Sequence, residues 1–340
     1  MERIKTVDVF RLIAIIAVIT IHLNPFQNPS ANSNFWGDWN IFSVQLSRFA
    51  VPFFFIISGY FYEKKYYSSN VKLQLANSTA QKIFMLLLFW SVIYLFPFKP
   101  ELYQQHGLLA PIKEVYWNIV RTYEEPLPVL FEGSKVHLWF LISLIYAIYL
   151  TTFLAKTPYL LVATAIALYF TGVLLGAYSI TPFGIKSELN ARYGPIFSLL
   201  PFVIGFSLSK LRITKSWLYL GLLIFSLATI FHFLECYFLK QYFNSPLDKD
   251  YGFSTVFMGV GVAMMALSNH HLLQNDTLSA IGKGIFGVYA GHFIFIDLLS
   301  YFDDRLTGPI WDLAKIFIVL TLSILLAKFL SKYKLTKNFV

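Results

Sequence analysis

The sequence predicts an all-α integral membrane protein, a single bundle of about ten membrane-spanning helices, and three observations carry that prediction. Of 340 residues, 57% are hydrophobic and 13% charged, whereas soluble domains carry about 25% charged residues. The mean hydropathy is +0.61, and the apolar residues fall in runs of about 17 to 25, the length a helix needs to cross a hydrocarbon core of about 30 Å. Aromatic residues make up 19% of the chain, with 35 Phe and 21 Tyr, which suits lipid-facing surfaces and interfacial belts.

The first run, Val7 to Leu23, follows Arg3 and Lys5 as a signal peptide would. It lacks a small-residue cleavage site and contains Asp8 and Arg11, so it reads as a retained helix. The second, Ile41 to Tyr62, holds Pro52, which can kink a helix, and the small pair Ser58 and Gly59, which lets another backbone approach. Ile83 to Phe98 is short, and a long outer connection from Lys99 to Lys135 follows, with Trp117 and several Tyr and Glu residues that predict short amphipathic segments. The remaining spans are Val136 to Leu154, Leu160 to Tyr178, Pro195 to Leu211, Trp217 to Tyr237, Phe253 to Leu267, Ile285 to Phe302 and Trp311 to Phe329. The Gly- and Ala-rich eighth span is also short and reads as packed among neighbours. There is no internal repeat, no low-complexity tract and no visible boundary, so residues 1–340 read as one polytopic domain.

Charge decides orientation. With the N-terminus in the cytoplasm, the inner segments hold fifteen basic residues against three acids, and the outer segments ten against thirteen. The positive-inside rule then puts both termini in the cytoplasm of a multi-pass cell (inner) membrane protein. The formal charge of +9 is thereby a topology signal, and nucleic acid is not an expected partner. The lone Cys236 excludes an internal disulfide.

Ionisable groups inside the spans are the candidates for chemistry, because a charge at bilayer depth costs roughly 3 kcal/mol unless protein, water or a partner compensates it. Arg11 and His22 stand eleven residues apart in the first span. At about 100° and 1.5 Å per residue they share one helix face and lie about 16 Å apart along the axis, with Asp8 near the same stripe. Arg11 either snorkels to the inner interface or binds an anion from the cytoplasm, with Lys64, Lys65, Lys82 and Arg212 extending a basic mouth. His22, near the outer end, reads either as an interfacial residue or as a general base, since imidazole exchanges a proton near neutral pH, and its alignment with Arg11 favours the second. Arg48, deep in the second span, must meet an acid, carbonyls or a ligand. His292 reads as a satisfied core histidine or a site residue. His137 opens the fourth span beside Trp139, most simply a belt residue, and Glu235, Arg192 and Asp297 are charges near the outer face.

No CxxC or HExxH motif is present, His270 and His271 lack carboxylates at ligand spacing, and there is no phosphate-cradling GxxxxGK[ST]; neither a metal nor ATP-driven work is expected.

Arg11 and His22 with ten residues between them, then Arg48 leading into VPFFFIISGY, HLWFL at 137–141, LPFVIGFSL at 200–208 and FGVYAGH at 286–292 together resemble membrane acyltransferase family three over nearly the whole chain. The chain is similar to the short, single-domain members that O-acetylate surface glycans, such as the enterobacterial common antigen acetyltransferase. It departs from the longer branch, where a GVDVFF-type segment precedes SG, by carrying LSRFAVPFFFIISG there. The resemblance implies transfer of an acyl group, acetyl as a rule, from cytoplasmic acyl-CoA to a hydroxyl of a surface or lipid-linked saccharide at the outer face. Expected partners are therefore acyl-CoA, the saccharide acceptor and membrane lipids. It also implies that Arg11 and His22 are the catalytic pair. The coenzyme's phosphates would rest at the basic mouth of Arg11, Arg48, Lys64, Lys65, Lys82 and Arg212, and a polar shaft would lead its pantetheine arm to His22. Arg48 would position the coenzyme or stabilise the thioester oxyanion, while His137, Trp139, His292, Glu235 and Arg192 would lie on the acceptor side. The competing readings are a transporter or flippase for an acylated saccharide, and a structural subunit of a glycan-export complex.

Overall fold

Helix length and apolarity decide which segments can cross a bilayer, and the computed structural model, which describes residues 3–27 and 34–340, contains only helices as regular elements among them. They are α1 (Lys5–Leu23), α2 (Asn34–Ser47), α3 (Ala50–Ser68), α4 (Lys72–Ile93), α5 (Pro100–His106), α6 (Ala110–Glu124), α7 (Pro126–Glu132), α8 (Trp139–Leu154), α9 (Pro158–Leu175), α10 (Pro195–Leu208), α11 (Trp217–Phe243), α12 (Thr255–Leu267), α13 (Asp276–Gly282), α14 (Ile285–Ser300) and α15 (Pro309–Ser331). Several open on a proline in the first turn, where the missing N–H costs nothing, as α5, α9 and α15 do.

Seven helical stretches among the described residues are long and apolar enough to span, and an eighth counts if α13 and α14, bent by 70°, form one broken span. The ten expected spans are thus not all met by length. The helix α10, with 14 residues, and α12, with 13, rise only about 20 Å at 1.5 Å per residue, short of a core of about 30 Å. The segment from 99 to 135 forms α5, α6 and α7, and α6 leaves Ile112, Trp117 and Tyr123 exposed.

The second span is a single apolar stretch, Gly37–Ser68, interrupted at Arg48 and Phe49 between α2 and α3. Pro52 explains the break. It has no N–H to give the Arg48 carbonyl, and its ring crowds that same carbonyl four residues back.

The chain divides into two compact units. One gathers the chain up to residue 21 with residues 41–80 and 143–283. Here α3 packs against α10 and α12, and α11 against α12. The α3–α10 crossing needs glycine on both sides, since a Cβ on Gly59 would lie 2.0 Å from the Phe202 carbonyl oxygen and one on Gly205 1.8 Å from that of Ile56. Ser58 and Gly59 therefore serve as the backbone-approach pair the sequence suggests, and Leu161, Ala165, Leu199 and Val203 seal α9 onto α10.

The other unit gathers residues 22–40, 81–142 and 284–340. In it α14 packs on α15. Trp90 of α4, fully buried, lies against Gly291 and donates its indole N–H to the Phe339 carbonyl at 3.0 Å.

Candidate functional site

The unit containing α14 brings three imidazoles together. His22 sits in the last turn of α1, His137 in the single 3-10 turn Val136–Leu138 that leads into α8, and His292 in the middle of α14. Ring centroids of His22 and His292 are 5.4 Å apart, and those of His137 and His292 5.0 Å. Phe293 fills the space among them, 4.7 Å from the His22 ring and 4.6 Å from the His137 ring. His137 and His292 are buried.

Their hydrogen bonds fix their tautomers. A carbonyl only accepts, so His292 must donate through Nδ1 to the Tyr289 carbonyl at 2.5 Å, and His137 through Nε2 to the Ala290 carbonyl at 3.2 Å. The remaining nitrogens, His137 Nδ1 and His292 Nε2, are buried lone-pair acceptors with no hydrogen-bond partner among the described residues. A buried polar atom left unpaired costs about 1–3 kcal/mol, which a ligand hydroxyl or N–H would recover. The surrounding groups hold the histidines in place. Tyr94 donates to the same Ala290 carbonyl at 2.6 Å, and Tyr289 donates to the His137 carbonyl. Lys135 and Asp297 pair at 2.5 Å, with the Lys135 ammonium 5.2 Å from the Phe293 ring centre. Asp297, one of the outer-face charges in the sequence, is thus a paired carboxylate beside the imidazoles. Such a site can take a proton from a hydroxyl in an apolar setting. Among the described residues, no group of three or more His, Cys, Asp or Glu side chains is placed to hold a metal ion.

Arg11 belongs to a different arrangement, in the other unit. Asp8, only 4% exposed, accepts from Arg11 at 3.0 Å and from Arg3 at 2.7 Å. The Ser279 hydroxyl of α13 donates to Asp8 at 3.4 Å, and Gly282 presses so close that a Cβ would meet the Asp8 carbonyl oxygen at 1.9 Å. Arg11 also stands 5.5 Å over the Phe61 ring. Asp8 therefore compensates Arg11 inside the apolar run, and the two arginines it serves leave one positive charge over. At the chain's start, the charge and hydrogen bond of Lys5 hold the exposed Asp276 carboxyl below its usual range.

The last turns of α3 collect further cations on aromatic rings. Lys64 lies 4.7 Å over Tyr60, Lys72 4.7 Å over Tyr66, and Lys210 5.3 Å over both Tyr67 and Phe206. Lys65 and Arg212 are exposed nearby in sequence, and Lys82 is exposed on α4 in the other unit. Lys72 and Lys210 were legible as inner charges but not as members of this cluster.

Several expected groupings need correction. Arg48 does not join Lys64 and Lys65: it lies at the opposite end of α3, about 24 Å away by helix rise, and pairs with Asp248 at 2.7 Å and Asp250 at 3.2 Å. Arg192 reaches the same Asp250 at 3.5 Å. Arg48, Asp248 and Asp250 border a cavity of about 460 Å³ with Asn190, Lys249 and Tyr251. In the segment 245–251 burial pushes the Tyr251 phenol up and the Lys249 ammonium down from their ordinary ranges. Glu235 is spent on the start of α12, accepting from the backbone N–H of Phe253 at 3.0 Å and of Ser254 at 3.4 Å. Carboxylates are favourable there because they meet unpaired N–H groups and the positive helix end. Trp139 is 6% exposed and so is no interfacial belt residue.

His232, which the sequence reading passed over, is fully buried and bonds at both nitrogens, to Gln45 Oε1 at 2.9 Å and to the Thr255 hydroxyl at 3.4 Å. Gln45 in turn donates to Asp248 at 2.7 Å, tying His232 into the Arg48 network.

A family model described as an acyltransferase domain matches residues 4–328. Two curated proteins of Enterococcus faecalis, each named amino-acid racemase, are similar to part of the chain. One is 30% identical over 202 residues, 58% of this chain and 26% of its own length; the other is 28% identical over 203 residues, 58% of this chain and 25% of its own. The chain thus spans about a quarter of the length of the curated relatives it matches. No solved structure matches it.

Proposed function

The chain belongs to membrane acyltransferase family three, whose domain it matches over residues 4–328, and on that premise we propose that it transfers an acyl group, acetyl in the first instance, from cytoplasmic acyl-CoA to a hydroxyl of a surface or lipid-linked saccharide. The observation that carries the reading is the cluster of His22, His137 and His292, two of whose buried ring nitrogens are left as open acceptors. His22 acts as general base. The acceptor oxygen attacks the thioester carbon as its proton passes to the imidazole, the carbon–sulfur bond breaks, and the CoA thiolate leaves and is protonated. A base in this role contributes about 100- to 10,000-fold in rate. His292 and His137 orient the acceptor by taking hydrogen bonds from hydroxyl or N–H groups next to the attacking one, whose own proton goes to His22.

The donor's phosphates bind at the cations gathered on the end of α3 and beside Asp8, namely Arg11, Lys64, Lys65, Lys72 and Lys210, with Arg212 as an outlying contributor. This reading is supported by the surplus positive charge of the Arg3–Asp8–Arg11 group and by the positive-inside count, which favours both termini in the cytoplasm of an inner membrane. Arg48, paired with two aspartates, is left out of donor binding.

The test uses the full chain in nanodiscs with labelled acetyl-CoA. The parent protein releases CoA and passes label to acceptor, whereas His22→Ala binds acetyl-CoA but turns it over about 1,000-fold more slowly. A transporter or flippase would leave acetyl-CoA untouched in both, and a structural subunit would leave His22→Ala silent; either result would overturn the transferase reading.

A further inference from the structure

A second cavity is lined from the residue that follows His22 in the chain. It has a volume of about 440 Å³, begins at Leu23 and Asn24 on the exit of α1, and is bordered by Gln27, Asp303, Asp304, Trp311 and Asp312. That size falls in the range of about 300–1,000 Å³ usual for small-molecule sites. Its wall is built, not frayed. Asn24 and Phe26 both hold left-handed backbone, with φ of 48° and 68°, a conformation costly for a residue like phenylalanine and kept only where the surroundings impose it. The imposing contacts are the Asn40 amide, which donates to the Asn24 side chain at 2.7 Å and to the Pro25 carbonyl at 2.6 Å, and the Asp312 carboxylate, which accepts from the Phe26 N–H at 2.8 Å.

The lining is of the kind that reads hydroxyls. Carboxylates accept from them, amides both accept and donate, and an indole offers an apolar face with a polar edge. The Trp311 N–H is already oriented, donating to Asp303 at 3.1 Å, and Lys315 clamps both oxygens of that carboxylate at 2.6 Å. Three carboxylates therefore face one ammonium, which Asp303 itself occupies.

We propose that this cavity seats the acceptor saccharide, and that its negative balance selects a neutral or amine-bearing sugar over a uronate or a phosphorylated one. The proposal rests on the reading of His22 as the base, because the cavity begins one residue past it. An anionic sugar would bring like charge against Asp304 and Asp312, with the single lysine committed elsewhere, and discrimination of this kind comes from repulsion as much as from attraction.

Methyl glucoside, methyl glucosaminide and methyl glucuronide are suitable probes. With the full chain in nanodiscs and acetyl-CoA, product formation followed by mass spectrometry should give a kcat/KM for the glucuronide at least tenfold below that for the other two. Asp304→Lys, at an exposed position, should narrow that gap several-fold, and Asp312→Asn should do the same through the other carboxylate. Equal use of all three probes, or a gap unmoved by Asp304→Lys, would overturn the proposal. Saturation-transfer NMR without acetyl-CoA gives the same comparison as binding: signal from the glucoside and glucosaminide but not the glucuronide is expected, and no signal from any of them refutes the site. Sugar binding without CoA release would sink the transferase reading and leave the cavity's assignment standing. CoA release with indifferent sugar binding would do the reverse.

Discussion

Two buried histidine environments in this protein differ in one respect. His232 has both ring nitrogens bonded, to Gln45 and Thr255. His137 and His292 each give their N–H to a carbonyl of α14 and keep the second nitrogen open. A satisfied imidazole rigidifies its network and has nothing left to offer a ligand, whereas a half-satisfied one holds an unspent acceptor at a cost the fold has to bear. On the proposed function, the contrast separates scaffold from chemistry among side chains that composition treats alike. The two arginines of the apolar runs obey the same logic. Arg11 shares Asp8 with Arg3 and leaves charge over, while Arg48 faces two aspartates and leaves none.

Substitutions can break this contrast. The largest effect is expected at His22: His22→Ala should slow acetyl transfer by about 1,000-fold, within the span of general-base contributions, measured as CoA release from acetyl-CoA. His292→Ala and His137→Ala should each cost about 10- to 100-fold with the loss mainly in kcat, since acceptors that hold the acceptor's neighbouring polar groups keep the reacting oxygen in line in the transition state. Were either as active as the parent, the open nitrogens would be mere packing defects. His232→Ala should do the opposite. Activity per folded molecule stays near the parent's, but stripping Gln45 of its partner costs about 1–3 kcal/mol of stability, read as a lower melting temperature. Loss of turnover there without loss of stability would erase the distinction between the two environments. The smallest effect is expected for Arg11→Gln, a several-fold rise in KM for acetyl-CoA with kcat little changed. Glutamine is the better replacement, because a glutamate would set two carboxylates together at Asp8.

Much of this was legible in the chain. Hydropathy runs locate the apolar helices because a bilayer demands length and apolarity before anything else. The register of Arg11 and His22 on α1 follows from helix geometry alone, as does the need for compensation, which Asp8 answers from three residues away. Pro52 and the Ser58–Gly59 pair announced a break and a close crossing, and both are present. What stayed hidden is what distant segments contribute. Nothing local tells that His137 and His292 share carbonyls of one turn of α14, that Arg48 meets Asp248 and Asp250, or that Glu235 caps α12. Tyr94, Tyr289 and Gln45 carried no signal as single residues, because a tyrosine or a glutamine in an apolar run is ordinary until its partner is known. The helix α10 was overestimated by the turn residues Ser209 to Leu211 that follow it, whereas the eighth span, α12, already reads as short in the sequence.

The glycine contact between α3 and α10 has a mechanical consequence. Two helices whose backbones interlock at Gly59 and Gly205 cannot slide or roll against each other without atoms colliding, so they travel as one strut. One end of that strut bears the lysines resting on Tyr60 and Tyr66, and the other bears the salt links of Arg48. A tug at the first is therefore delivered to the second along a rod about 24 Å long, and backbone amides of both helices should open to hydrogen exchange in concert.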